Sequence, residues 1–257
     1  MGQIVELGIV QFAAVYLLLL VVLFIMKKAR INRTKLLVVA SIRMTLQLIL
    51  AGLILTCIFK NPEPVFTLAY LAAMTVFAIH RVLSKNKGIS KSFKWVVSLS
   101  LAGTGLAMVA LFVGGIIRVS VFNPQYTITI GGMIIGNAMT GVTLAMKTFT
   151  EAIETQRHKI DTLMNLGVSP KRILIPFVNN ALEMALLPTL NSMLGMGIIS
   201  LPGMMTGQIL SGTMPMTAIL YQIAIMIAIC TTVCLSVFSA LHFGARTLYN
   251  KQNQITL

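Results

Sequence analysis

Residues 4–33 read IVELGIVQFAAVYLLLLVVLFIMKKARINR, an apolar run closed by a cluster of cations. From Ile4 to Met26 the run is long enough, as an α-helix, to cross a hydrocarbon core of about 30 Å. Its one charge, Glu6, lies near the outer end, where water reaches it. No basic residue precedes Lys27, so the run is not the charged-then-apolar pattern of a cleaved signal peptide. It reads as an uncleaved first crossing. MGQIVE also lacks the Ser or Thr that a myristoylation signal needs at residue 6.

The same pattern recurs along the chain. Further apolar stretches run from about Leu36 to Phe59, Val65 to Ile79, Trp95 to Ile117, Thr127 to Met146, Ile173 to Ile199 and Thr217 to Phe243. The third is short and has to borrow residues from its flanks. Of 257 residues, 57% are hydrophobic and 10% are charged, and the mean hydropathy is +0.90. A soluble domain of this length carries many more charges. The apolar runs are continuous and do not alternate, which excludes a β-barrel. In lipid each backbone group must then find its partner within its own segment. The expected fold is all-α: a polytopic integral membrane protein of about seven transmembrane helices. Residues 1–257 form one transmembrane domain.

Charge gives the direction. Lys27, Lys28, Arg30, Arg33 and Lys35 follow the first crossing. Arg81, Lys85, Lys87, Lys91 and Lys94 follow the third. Lys147, Arg157, Lys159, Lys171 and Arg172 follow the fifth, and Arg246 and Lys251 follow the seventh. Only Lys60 and Arg118 lie on the other side, and Arg43 lies within a crossing. Positive loops stay in the cytoplasm, so the N-terminus is expected outside and the C-terminus inside the cell membrane. The net charge of +14 follows from that bias and from attraction to anionic lipid. It calls for no nucleic acid. Cys57, Cys230 and Cys234 all fall in crossings and read as small apolar residues.

One stretch departs from the apolar theme. TEAIETQRHKIDTLMNLGVSPKRILIP, residues 150–176, lies between the fifth and sixth crossings on the basic side. Thr148 and Glu151 have capping-box spacing, so a helix could start there. The fifth crossing could instead run straight through. Phe149, Ile153, Ile160, Leu163 and Met164 form one stripe at helical spacing. Glu154, Arg157, His158, Asp161 and Asn165 face elsewhere. Gly167 suits a helix C-cap, and Ser169 with Pro170 suits the next helix start. Segment 148–172 therefore reads as a surface helix, a turn and a return to the membrane. Its shape fits a helix lying on lipid and equally a helix docking in a groove of a cytoplasmic partner. In the second reading Ile160 and Leu163, midway along the stripe, contribute most.

A transporter needs an energy source, and the sequence has no G-x-x-x-x-G-K-[ST] phosphate loop. If ATP drives it, the ATPase is another chain, and a docking helix is what that partnership needs. Asp161, Thr162, Leu163, three residues and Gly167 resemble the cytoplasmic loop of ABC importer permeases, which has an acidic residue, two alanines, three residues and a glycine. The acid and the glycine match; the alanines do not. RMTLQLILAG at 43–52 and SLPGMMTGQILSG at 200–212 are similar to signature stretches of the FetB family, also grouped as UPF0014-type membrane proteins. Those proteins are permease subunits of a bacterial iron exporter, related to plant half-transporters of aluminium tolerance. The resemblance implies an ABC-type permease, not an enzyme, that exports iron or a related metal ion. It implies a separate cytoplasmic ATPase carrying the ATP, no cofactor in this chain, and a permease homodimer. It also implies that Ile153, Ile160, Asp161, Leu163, Met164 and Gly167 belong to the coupling segment.

Residues for a transport path are few. Arg43 lies about 10 Å into the second crossing, with Gln47 one turn further on the same face. Glu183 lies roughly 15 Å into the sixth crossing from the same side. An Arg43–Glu183 pair would clamp two helices, with Arg43 reaching toward the cytoplasm. Alternatively Glu183 forms a cation path or gate. Asn179, Asn180, Pro188 and Asn191 suggest that the sixth crossing is broken. Pro202, Gly203, Thr206, Gly207 and Gln208 lie in an expected outer-side loop or re-entrant turn. Of 17 methionines, Met184, Met193, Met196, Met204, Met205, Met214 and Met216 gather near this exit. Thioethers suit Cu(I) better than iron, and no metal site is legible. A secondary carrier driven by an ion gradient is the other function these residues allow. An intramembrane enzyme would need paired acids or a nucleophile with its base.

Overall fold

The structure, a computed structural model, describes residues 8–86 and 89–249. The starts assigned to Ile4 and Glu6, and the cations Lys87 and Lys251, lie outside the described residues. The described chain is helical throughout: α1 (Ile9–Lys28), α2 (Thr34–Lys60), α3 (Pro64–Lys85), α4 (Lys91–Ala110, continued as a π-helical turn over Leu111–Ile116), α5 (Pro124–Thr155), α6 (Arg157–Asn165), α7 (Pro170–Gly195), α8 (Gly203–Leu210) and α9 (Pro215–Ala245). Among the described residues there is no strand, only an isolated bridge between Met196 and Ser200. Seven of the helices are long and apolar enough to cross a membrane. Each coincides with an expected crossing, and α3 gains its length by extending over His80, Arg81 and Lys85.

The chain divides into two compact units. One holds residues 1–61 with 210–212; the other holds 62–209 and 213–257. In the first, α1 and α2 pair, and the Tyr16 hydroxyl bonds to Thr45 Oγ1. Most of their large apolar side chains are uncovered by protein, Leu17, Leu18, Phe24, Leu46 and Leu48 among them. That suits helices whose solvent is lipid.

The second unit has a true core. α5 packs on α3, α4, α7 and α9, and α9 packs on α4, α5 and α7. Close approach is bought with small residues. A Cβ on Gly141 of α5 would stand 2.6 Å from Val233 Cγ1 of α9, and one on Gly244 of α9 would stand 2.7 Å from the Phe93 ring of α4. Phe93 in turn stacks with Phe149 of α5, centroids 6.3 Å apart. The hydroxyls of Thr104 and Ser236 meet at 2.5 Å between α4 and α9.

Two open readings are decided and one expectation is corrected. The fifth crossing runs straight through Thr148: α5 continues to Thr155 and breaks at Gln156, so the helix of the charged segment is α6, Arg157–Asn165. The crossing that carries Pro176 and Pro188 is not broken, because α7 continues through both prolines. Third, residues 200–215, expected as an outer-side loop or a re-entrant turn, hold a short helix between two turns. Their middle forms α8, whose eight residues rise only about 12 Å, too short to cross. The turn before α8 bonds Gly197 N–H to Ser200 C=O at 3.0 Å. The turn after it bonds Thr213 N–H to Gln208 C=O at 2.9 Å.

Candidate functional site: the polar seam of α5 and α7

α5 and α7 pack side by side, and each turns a polar row outward. On α5 the exposed positions include Gln125, Thr129, Asn137, Thr140, Lys147 and Glu151. Their steps of three and four residues, bridged at Met133 and Leu144, keep them on one face. That face extends about 40 Å along the axis. On α7 the exposed row holds Asn180, Glu183 and Asn191. Polar groups on a membrane-spanning helix do not face lipid; they face water or other protein.

The chemistry of the row is specific. Thr140 Oγ1 donates to Gly136 C=O at 3.0 Å, and Thr143 Oγ1 to Met139 C=O at 2.7 Å. Asn137 Nδ2 donates to Met133 C=O at 2.7 Å. On α7, Ser192 Oγ donates to Pro188 C=O at 2.9 Å. The hydroxyl protons are thus committed to the helix backbone. What remains outward is their oxygen lone pairs, the Asn137 amide oxygen with its second N–H, and the Glu183 carboxylate. Away from the Lys147–Glu151 pair at its basic end, a face of oxygen acceptors suits a cation better than an anion.

Two cavities open along the seam. One, of about 190 Å3, is lined by Asn137, Thr140, Thr189, Ser192, Met196 and Met226. The Gln222 amide reaches Met196 Sδ from α9, and its Oε1 is buried without a hydrogen-bond partner. The other, of about 460 Å3, lies at the basic end, where α6 meets α7; Gln156, Lys159, Arg172, Pro176 and Asn180 line it. Asn180 thus belongs to the second cavity, and Glu183, three residues further on α7, is exposed and lines neither. Asn137 and Thr140 escaped the sequence reading. Thr and Asn in a glycine-rich crossing read as packing residues, and only the packing of α5 leaves them uncovered.

The remaining candidates are placed as follows. Arg43 and Gln47 are exposed, four residues apart on α2. They belong to the first unit and Glu183 to the second, so their pairing stands as a proposal. In α8, Met205 is buried and Thr206 Oγ1 donates to Pro202 C=O at 3.0 Å, while Gly203 and Gly207 are exposed. Cys57, Cys230 and Cys234 carry free thiols. Among the described residues no group of three or more His, Cys, Asp or Glu could hold a metal ion.

The coupling segment differs from the expectation in which way it faces. Ile153 is 1% exposed and Ile160 3% exposed, both in the same core as Phe149 and Ile173. Leu163 and Met164 pack against that core. The chain itself therefore covers most of the apolar stripe, with Ile153 and Ile160 buried and Leu163 and Met164 half-buried. The outward side of α6 carries Arg157, His158, Asp161 and Asn165, followed by Leu166, which is 74% exposed. Gly167 behaves as expected. It adopts φ +82°, its N–H bonds to Met164 C=O at 2.9 Å, and Val168 N–H bonds to Leu163 C=O at 3.0 Å. Those two bonds make a full Schellman stop. Pro170 begins α7, but the Ser169 side chain makes no capping bond.

Comparison with known proteins matches residues 9–249 to the family described as "Uncharacterised protein family (UPF0014)". The chain is 30% identical over 247 residues to the Escherichia coli (strain K12) protein named "Probable iron export permease protein FetB", covering 96% of this chain and 94% of that one. It is 32% identical to "UPF0014 membrane protein YjkA" of Bacillus subtilis (strain 168), over 80% of this chain and 81% of that one. It is 34% identical to "Protein ALUMINUM SENSITIVE 3" of Arabidopsis thaliana, over 85% of this chain and 79% of that one. No solved structure matches the chain.

Proposed function

The chain belongs to the UPF0014 family, and from that premise we propose that it is the membrane-spanning permease subunit of an ABC-type transporter exporting iron or a related metal cation. The observation that carries this reading is the uncovered row of oxygen acceptors along α5 and α7 in a surface otherwise apolar. A row of that kind is a conduit wall for a cation, and it contains no nucleophile with its base. The name of the E. coli relative supports iron as the cargo. Two copies in the cell membrane face each other across this seam, so that water and cargo, not lipid, meet Asn137, Asn180, Glu183 and Asn191. The α8 segment at Pro202–Gln208 forms the outer end of the path. ATP is bound and hydrolysed by a separate cytoplasmic ATPase. The docking surface is the outward side of α6 with the Gly167 turn. The N-terminus lies outside and the basic loops inside.

The test is metal content of cells with and without the chain, across iron, copper, manganese and aluminium. Loss of the chain should raise cellular iron or one of the other metals. No change in any of them removes the export reading. A carrier driven by an ion gradient is the second reading, favoured by Glu183 as an exposed carboxylate within a membrane-spanning helix. Transport in vesicles separates the two: the permease reading requires ATP and the co-purifying ATPase, the carrier reading an imposed proton gradient.

A further inference from the structure

A third cavity lies on the α3 side of α5 and shares Thr140, Leu144 and Lys147 with the α5 row. It opens between the end of α3 and the late turns of α5, with a volume of about 430 Å3. Arg81 and Lys85, one turn apart on α3, and Lys147 on α5 line it, and no carboxylate does. The carboxylate closest in sequence is Glu151, 3.7 Å from Lys147 Nζ; both side chains are well exposed. An exposed pair of this kind holds Lys147 weakly. Cations at the last turn of α3 also complement its helix dipole, which accounts for Arg81 and Lys85 as a solvated rim. It does not account for a concave site shared with a lysine of another helix.

The lining has a gradient. On α5 it runs from Met139 and Thr140 through Thr143 and Leu144 to Lys147, about 12 Å along the axis. The uncharged end, Met139 and Leu144 with two threonines, lies toward the membrane-spanning part of the helix, and the cationic end toward the basic loops. A soluble anion would use only the cationic end. A phospholipid uses both, with phosphate at the cations and glycerol esters along the thioether and leucine. Basic pockets between spanning helices on the cytoplasmic side suit such headgroups, and the Arg81 guanidinium can grip phosphate oxygens with two parallel N–H bonds.

We propose that this cleft is a binding site for an acidic phospholipid, with Arg81, Lys85 and Lys147 holding its phosphate. The site stands whatever the cargo, and its test reads no transport. The full chain is purified in neutral detergent and titrated with phosphatidylglycerol, phosphatidylcholine or inorganic phosphate, reading retained lipid by native mass spectrometry and the thermal midpoint. Phosphatidylglycerol should bind at least tenfold tighter than phosphatidylcholine and raise the midpoint, and phosphate alone should do neither. Arg81→Gln with Lys85→Gln and Lys147→Gln should abolish the preference. A control removing equal charge, Lys27→Gln with Lys28→Gln and Lys35→Gln, should keep it. If both triple variants lose it alike, the effect is diffuse charge and the proposal fails. If inorganic phosphate protects as well as the lipid, the source is a soluble anion and the proposal also fails. Should the cleft triple variant not accumulate, Lys85→Gln and Lys147→Gln are read singly. Each should lower the preference about threefold, and an unchanged preference in both overturns the site.

Discussion

Glycines carry opposite roles at neighbouring positions of α5. Gly141 is pressed against Val233, whereas a Cβ on Gly136 would meet nothing within 4 Å. Gly141→Ala overfills the contact between α5 and α9 and should cost about 1–3 kcal/mol, read as a lowered thermal midpoint in detergent. Gly136→Leu should leave the midpoint within about 0.5 kcal/mol-equivalent of the native chain while weakening association of two copies, if the α5 face is where they meet. A native dimer fraction in cross-linking would remove Gly136 from that interface. Glu183 is exposed on α7, with no core around it to lose. Glu183→Gln should therefore keep membrane abundance and cut transport by roughly tenfold or more, about 1.4 kcal/mol per tenfold, with Glu183→Asp recovering part. Loss of abundance with normal transport per molecule would instead favour a helix clamp with Arg43.

At the scale of the element, α6 reverses the simple reading of an amphipathic helix. Its apolar side is spoken for by Ile153, Ile173 and their neighbours. Ile160→Asp buries a charge among them, and fully burying an isoleucine is worth roughly 1.5–3 kcal/mol before any charge penalty. The variant should lose abundance in the membrane fraction. The outward side offers charge-based recognition instead. Arg157→Glu with Asp161→Lys and Leu166→Asp should leave abundance unchanged and reduce ATPase co-purification and ATP-dependent transport. Unchanged co-purification would return α6 to the role of a helix lying against lipid headgroups. The Schellman stop sets where α6 ends: Gly167 at φ +82° admits alanine only at a cost of about 1–2 kcal/mol.

For the whole molecule, the seven spanning helices and the one-sided basic loops make a single testable arrangement. A cysteine introduced at Thr155, at the exposed end of α5, should react with a membrane-impermeant thiol reagent only after the cells are opened. Native Cys57, Cys230 and Cys234 are replaced first. Reaction from outside would invert the topology and with it the cytoplasmic placement of α6.

The seven crossings were legible residue by residue, because hydropathy in lipid is a property of each segment alone. The stop at Gly167 was legible too, since a Schellman turn is closed by residues within five positions of one another. Glu183, Asn180 and Asn191 were legible as polar exceptions in apolar surroundings. What covers a stripe is a long-range fact. Ile160 announces that it will be buried; only the fold of α5, α6 and α7 decides that the chain buries it itself. The same packing carries α5 on to Thr155 past a capping pattern at Thr148, since Phe149 and Ile153 gain core contacts as helix. It holds α7 helical through Pro188. It also leaves Asn137 and Thr140 uncovered, where sequence distinguishes a packed threonine from a conduit wall in no way, because both satisfy their protons on the backbone four residues back.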